Sequence, residues 1–257
     1  MSQYTSGADA LNSLNAVNEG GSSGGAEFAP LKSNTSYKVR VQGTDNLIRF
    51  YSYGIFKVLN SFTAKNPSTK NARGFAESNL TPFDLASKYY QDLKFKAEDA
   101  GDAASADKYA IEASKYRAKE RYALGFADLA TGEPIIVDLS KKQAQGVMAV
   151  ITKNVKKLDK VAFELSKQGA GTSTTVMLSV IFDLDEDLDD AERANFAKLE
   201  GAAFDMTLFD GLLYEADDAE QVENLVKAGF DPALIGLSKA PADDQSPPFA
   251  PDPTENF

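Results

Sequence analysis

Residues 37–62, YKVRVQGTDNLIRFYSYGIFKVLNSF, alternate apolar and polar side chains with a period of two. Successive side chains of a strand point to opposite faces, so this stretch predicts half-buried β-strands. Turn signals at Gly43-Thr44-Asp45 and at Gly54 divide it into three. In the first strand Tyr37, Val39 and Val41 share one face, and Lys38 and Arg40 the other. In the second, Ile48 and Phe50 share one face, and Arg49, Tyr51 and Tyr53 the other. One face has the composition of a core. The other interleaves cations with flat rings, which suits a single strand of nucleic acid: cations for phosphates, π-faces for unstacked bases. Arg and Tyr are also common on ordinary half-solvated strands, so this face alone leaves both readings open.

The rest of the chain predicts further elements. Residues 1–31 include NEGGSSGGAEFAP and read as a flexible arm. Thr81-Pro82 followed by Asp84 reads as a helix start. Two Ala-, Lys- and Glu-rich helices then fill an insertion at about 81–122, with Gly101 between them. Residues 124–140 predict strand, Thr-Gly turn, strand. Residues 140–155 predict a helix whose apolar positions are Val147, Met148, Val150 and Ile151. Residues 160–182 predict a hairpin turning at Gly169-Ala170-Gly171. Acidic helices follow from about 183, and a proline-rich tail spans 239–257. Residues 32–238 thus read as one domain. Its class is mainly β with helical insertions, an elaborated OB-fold: a small, partly open antiparallel barrel with a helix before the last hairpin.

Charge is uneven along this order. Residues 32–73 hold eight cations and one acid, and residues 141–167 hold seven cations and two acids. From residue 183 onward there are 20 acids and 4 cations, so a net charge of −11 conceals a basic body. A basic body with an acidic end is one signature of a nucleic-acid binder with an interaction tail; an unevenly charged polar surface is the plainer alternative. The chain has no Cys and no His. Disulfides, thiolate or imidazole metal sites and the Ser-His-Asp triad are therefore excluded. No apolar run approaches the roughly 18 residues of a membrane span. No signal peptide is read at the start. A cytoplasmic protein with no cofactor, no metal and no catalysis is the expectation.

SKYRAKERYALGF, residues 114–126, repeats the cation and ring theme. Read as a helix, it puts Lys115, Lys119 and Tyr122 on one side and Arg117 and Arg121 on another. A solvated face partnered by Glu112 and Glu120 is the alternative. QGAGTSTT, residues 168–175, lacks the Gly-Lys-Ser/Thr ending of a phosphate loop and reads as a hairpin turn. DLDEDLDD, residues 183–190, has Leu188 where a calcium loop needs Gly, and Ala194 where it needs Glu. It reads as an acidic helix start.

The order of features resembles the T4-type bacteriophage single-stranded-DNA-binding protein family. YKVRVQGTDNLIRFYSYGIFKVLNSF carries the likeness first, as a basic strand leading to an Ile-Arg-Phe strand. KYRAKERYALGFADLATGEPIIVDLSKKQAQGVMAVI continues it. The likeness covers about residues 36–182. It implies an OB-fold that coats transient single strands in replication, recombination and repair, and an acidic tail that recruits replication proteins. Two departures stand out. The family's T4 member ligates zinc through Cys and His, which this chain lacks, and uses a basic N-terminal arm for cooperative self-association. Residues 1–31 here contain Asp9, Glu19 and Glu27 and no Lys or Arg.

The function expected is therefore non-sequence-specific binding of single-stranded DNA by a phage protein in the host cytoplasm. Lys38, Arg40, Arg49, Tyr51, Tyr53, Lys57, Arg117, Lys119, Arg121 and Tyr122 are the candidate contacts. Asp243, Asp244, Asp252, Glu255 and Phe257 form a candidate docking tail for replication and recombination proteins. The closing Phe257 resembles the tail ends of bacterial and T7-type single-strand binders. Self-association is compatible with this reading, and a membrane is not involved. Two rivals remain: a virion or scaffold assembly protein without DNA affinity, and a carboxylate-dependent magnesium nuclease.

Overall fold

A computed structural model of the chain describes residues 28–169 and 174–238. Strands β1 (Thr35–Arg40), β2 (Leu47–Ile55) and β3 (Leu59–Ala64) form where three are predicted. The second reversal differs from expectation. Gly54 lies inside β2, where the register with β3 shifts between Tyr53 and Ile55. The chain turns instead at Phe56, Lys57 and Val58, with Lys57 at a left-handed φ of 61°. A small hairpin that the sequence did not announce, β4 (Thr69–Lys70) and β5 (Ala76–Ser78), precedes the helices.

Helix α1 (Pro82–Asp99) starts as the sequence predicts: Thr81 is the N-cap and accepts the Asp84 amide, and Pro82 opens the first turn. Gly101, at φ 72°, makes the reversal into α2 (Ala103–Tyr116). Helix α2 ends at Tyr116, not near 122. Arg117 is its extended C-cap, and residues 119–128 form a strand, β6 (Lys119–Asp128). Then come β7 (Pro134–Ser140), α3 (Lys141–Lys153), β8 (Ala162–Gln168) and β9 (Thr175–Ile181). Ser140 and Gln143 form a capping box at the start of α3. The acidic segment folds as α4 (Leu184–Asp187), α5 (Asp190–Lys198), a two-residue β10 (Glu215–Ala216) and α6 (Asp218–Lys227). No described helix is long and apolar enough to cross a membrane.

Over the described residues the molecule is a mixed α/β structure with six helices around one large, mostly antiparallel sheet. The order is β10-β3-β2-β6-β1-β8-β9, with β7 on the other edge of β6. The β10–β3 pairing is parallel. Within this sheet β8-β1-β6-β7 has the 4-1-2-3 order of a Greek key. The sheet does not close into a barrel among the described residues: β7 pairs only with β6, and β9 only with β8. Helix α3 lies across that gap, against both β7 and β9. It buries Ala144, Val147 and Ile151 against Val39, Leu124, Phe126, Val137, Phe163 and Leu178. Phe28 bridges to Ile136, and the Ala29 amide donates to the Ile136 carbonyl at 2.7 Å, so the chain is already tied to β7 at residues expected in a free arm.

A second core lies at the other end of the sheet, where Tyr53, Phe62, Phe83, Tyr116, Leu225 and Phe230 join β2 and β3 to α1, α2 and α6. The opposite face of β2, β6 and β7 is covered by the C-terminal segment: Phe204, Phe209 and Leu212 pack on Ala123 and Ile136, with Ile48 and Phe50 beside them. Phe50 is thus half-buried on the apolar face, as its alternation predicts. Leu188 and Phe196 fix α4 and α5 through Leu129 and Ala162.

Gly125 sets how closely the C-terminal segment approaches. A Cβ there would stand 2.3 Å from the Phe204 ring. Gly125→Ala should therefore destabilise the fold by about 1–3 kcal/mol through overpacking. Phe204→Ala removes the obstacle, so the two substitutions should be non-additive in urea denaturation. Additive effects would show that the ring does not rest on Gly125.

Candidate functional site

The face of β2 that carries Leu47, Arg49, Tyr51 and Tyr53 spans both cores. Leu47 packs at the first and Tyr53 at the second. Between them Arg49 is exposed and Tyr51 half-exposed, leaving a polar strip across one face of the sheet. Register adds two neighbours, because Arg49 lies opposite Tyr122 and Tyr51 opposite Glu120 on β6. Directly opposed residues share a face. Strand geometry alone therefore assembles Arg49, Tyr51, Glu120 and Tyr122.

Lys141 completes this group. Arg121 pairs with Ser140, the last residue of β7, so the first residue of α3 emerges beside Glu120. The Lys141 ammonium donates to Glu120 Oε2 at 2.9 Å, and the Tyr122 hydroxyl donates to Oε1 at 2.7 Å. The Arg49 guanidinium is near enough to act on the same carboxylate. Hydrogen bonds from Lys141 and then Tyr122 hold the Glu120 carboxyl below the usual glutamate range. Burial and the bond to Glu120 raise the Tyr122 phenol, and the Glu120 bond raises the Lys141 ammonium.

The insertion supplies the other wall. The β4–β5 turn passes close to Tyr51: a Cβ on Gly74 would stand 3.6 Å from its hydroxyl. Lys70 Nζ lies 5.6 Å from the Tyr51 ring centre, and Arg117 lies 5.4 Å over the ring of Phe75, which is 40% exposed. Lys70, Phe75, Asp84, Lys88 and Arg117 line a cavity of about 210 Å³ there. Lys70 itself is committed. It pairs with buried Asp84 at 3.1 Å, and Asp84 also accepts from the Tyr53 hydroxyl at 2.9 Å. The pair locks the β4–β5 hairpin to the start of α1.

The candidate residues therefore separate. Arg49, Tyr51 and Tyr122 share the strip, and Arg117 flanks it over Phe75. Tyr53 belongs to the second core, 3% exposed, and its ring is not available for stacking. Arg40 is also 3% exposed: its guanidinium donates to the Phe196 carbonyl and sits 4.1 Å over the Phe196 ring. Lys38 pairs with Glu192 at 2.7 Å and donates to the Asp187 carbonyl at 2.7 Å. Both cations thus hold the acidic helices α4 and α5 on the opposite face of the sheet. Because 119–128 is a strand, Lys119 and Arg121 point away from Tyr122. Arg121 forms a two-pronged pair with Asp138 at 2.9 and 2.7 Å. Lys57 is exposed at the β2–β3 turn beside Phe56. Asp243, Asp244, Asp252, Glu255 and Phe257 lie outside the described residues.

Glu120, Lys141, Lys70 and Phe75 are additions that alternation within one strand does not reveal. A signal for Lys141 existed in the sequence, since Ser140 and Gln143 have the spacing of a capping box that starts a helix at Lys141. No group of three or more carboxylates is arranged to hold a metal ion among the described residues. No family model, no curated protein and no solved structure matches the chain.

The buried rings generate an alkaline signature. Burial, with Asp84 alongside, raises the Tyr53 phenol far above the usual range, and burial raises Tyr116 to about 12. Unfolded tyrosines ionise near 10. Above that pH the folded state holds more protons than the unfolded one, so stability present below about pH 10 is lost as pH rises. Tyrosinate absorbance should rise in two steps, the second coinciding with loss of helical circular dichroism. A single step with the fold intact would contradict the packing of these rings.

Proposed function

We propose that this chain is a non-catalytic, non-sequence-specific single-stranded-DNA-binding protein whose binding surface is the Arg49–Tyr51–Tyr122–Lys141 strip. The observation that carries this reading is the interleaving of cations and half-exposed rings on one solvent-facing strip between two cores. Rings stack on any base that is unpaired, and cations follow the backbone. The fold reading is an elaborated OB-type barrel. Its support is the Greek-key order β8-β1-β6-β7, the β8–β9 hairpin and the helix α3 between β7 and β8. The β2–β3 hairpin, the β4–β5 hairpin and helices α1–α2 are then elaborations between the first and second barrel strands. The outer face of β6–β7, a common oligonucleotide surface in such barrels, is occupied here by Phe204 and Phe209. That occupancy favours the other face for binding.

The resemblance to the T4-type family supplies the biological setting: transient single strands in phage replication and recombination. The acidic tail, residues 239–257, is proposed to dock partner proteins, with Phe257 as the apolar anchor.

Fluorescence anisotropy with labelled oligo-dT and a duplex of equal length tests the reading. The single strand should bind more tightly, with affinity falling as salt rises. Tyr51→Ala should cost about 1–3 kcal/mol of binding, the worth of one stacked base. Arg49→Ala should flatten the logarithmic salt slope by about 0.7. Lys38→Ala should lower the melting temperature and leave binding nearly unchanged, because its partners are Glu192 and Asp187. Equal affinity for both DNA forms, or turnover of DNA with magnesium, would overturn the proposal.

A further inference from the structure

The strip contains one carboxylate at its centre, and the donors around it converge on that group. Glu120 receives Lys141 at 2.9 Å on one oxygen and Tyr122 at 2.7 Å on the other, and Arg49 lies opposite Tyr122 on the facing strand. The other ion pairs of the sheet have a different character. Lys38–Glu192 ties α5 to β1, and Arg121–Asp138 lies on the covered face. The Lys141–Glu120 pair ties the first residue of α3 to β6, with the Lys141 side chain 55% exposed and that of Glu120 16%. An ammonium and a phenol directed at one pair of oxygens, with a guanidinium opposite Tyr122 on the adjoining strand, form an anion site already filled by a side chain.

We infer that Glu120 is an internal stand-in for a phosphodiester, and that Lys141, Tyr122 and Arg49 form a backbone-phosphate site opened by displacing its carboxylate. The inference rests on the proposed single-strand binding and names the phosphate contact within it. The Lys141 end of the pair is solvated and therefore the weaker-held donor, so an incoming phosphate can take it. The geometry gives Glu120 a regulatory role: it competes with the ligand and raises the threshold for weak or isolated phosphates. Long strands, which engage Tyr51 and Arg49 together with Lys141, overcome that competition.

Glu120→Gln tests this directly. The amide keeps the shape and can still accept from Tyr122, but removes the charge. The full-length variant should bind oligo-dT more tightly than the parent protein by up to about fivefold, the upper end of what a solvated pair is worth. The gain should be larger for short oligonucleotides than for long ones. Lys141→Gln should weaken binding, and the double variant should lose the gain of Glu120→Gln. Melting temperatures report whether each variant is folded, and Glu120→Asp, which shortens the carboxylate's reach, provides a charged control that should bind like the parent or slightly tighter. If the parent binds oligo-dT but Glu120→Gln binds equally or more weakly, Glu120 is a structural partner and the inference fails. If the parent does not bind single strands at all, the proposed function fails first, and the variants then read only stability.

Discussion

Strand β6 is the element on which the others depend, because its ten residues satisfy three partners. Its first half pairs with β2, its last residues pair with β1 on the same edge, and its other edge pairs with β7. The break between β1 and β2 allows this sharing. The chain leaves β1 after Arg40, and the Gly125 amide donates to the Asn46 carbonyl at 2.8 Å as β2 takes over the edge. A buried strand with an unpaired edge would carry costly unsatisfied amides. Two consecutive strands laid end to end along β6 avoid that cost. They also extend the sheet beyond what one core can cover, so it acquires two: one under α3, the other under the α1–α2 insertion. The polar strip is the stretch of shared sheet face at the margins of the two cores, where Tyr122 leans on the first, Tyr51 on the second, and Arg49 stands exposed between them.

The opposite face shows why the chain can be acidic overall and still present cations. Residues after 183 do not float as a separate acidic tail over the described stretch. They fold onto the sheet through Leu188, Phe196, Phe204, Phe209 and Leu212. Their carboxylates and carbonyls take up cations that β1 would otherwise expose: Glu192 and the Asp187 carbonyl hold Lys38, and the Phe196 carbonyl holds Arg40. Burying a guanidinium is costly unless its donors are met, and here hydrogen bonding and stacking on the Phe196 ring meet them. The strongest basic residues of the first strand thus serve cohesion.

What was legible in the sequence was local chemistry. Thr81-Pro82 with Asp84 announced a helix, because capping satisfies amides within three residues, and the capping boxes at Ser140, Asp189 and Asp217 are signals of the same local kind. Alternation in β2 placed Ile48 and Phe50 on one face and Arg49 and Tyr51 on the other. It could not say what lay above each face. Tyr53 shares parity with Arg49 and Tyr51 yet is buried, because α1 and α2 close over that end of the strand. The stretch KERY was misread for a related reason. Its residues are good helix formers, and intrinsic propensity is a weak prior that tertiary pairing overrides. Continuing α2 through 119–122 would have left the edge of β2 without its partner. Once the stretch is a strand, Tyr122 joins Arg49 and Arg121 turns to Asp138.

Net charge, finally, is a poor guide to what this surface can bind, for a geometric reason. Sheets and the layers packed on them lie about 10 Å apart, so the carboxylates of α4 and α5 sit at least a layer away from the strip. Screening at physiological salt acts over about 8 Å. Charges on the far face are therefore largely screened from a ligand on the strip, whereas Glu120, in direct contact with Lys141 and Tyr122, is not. By this argument one central carboxylate would weigh more on any affinity of the strip for a polyanion than the carboxylates of α4 and α5 behind the sheet. The charge balance of such a protein has to be read face by face, and the alternation of its strands decides which charges share a face.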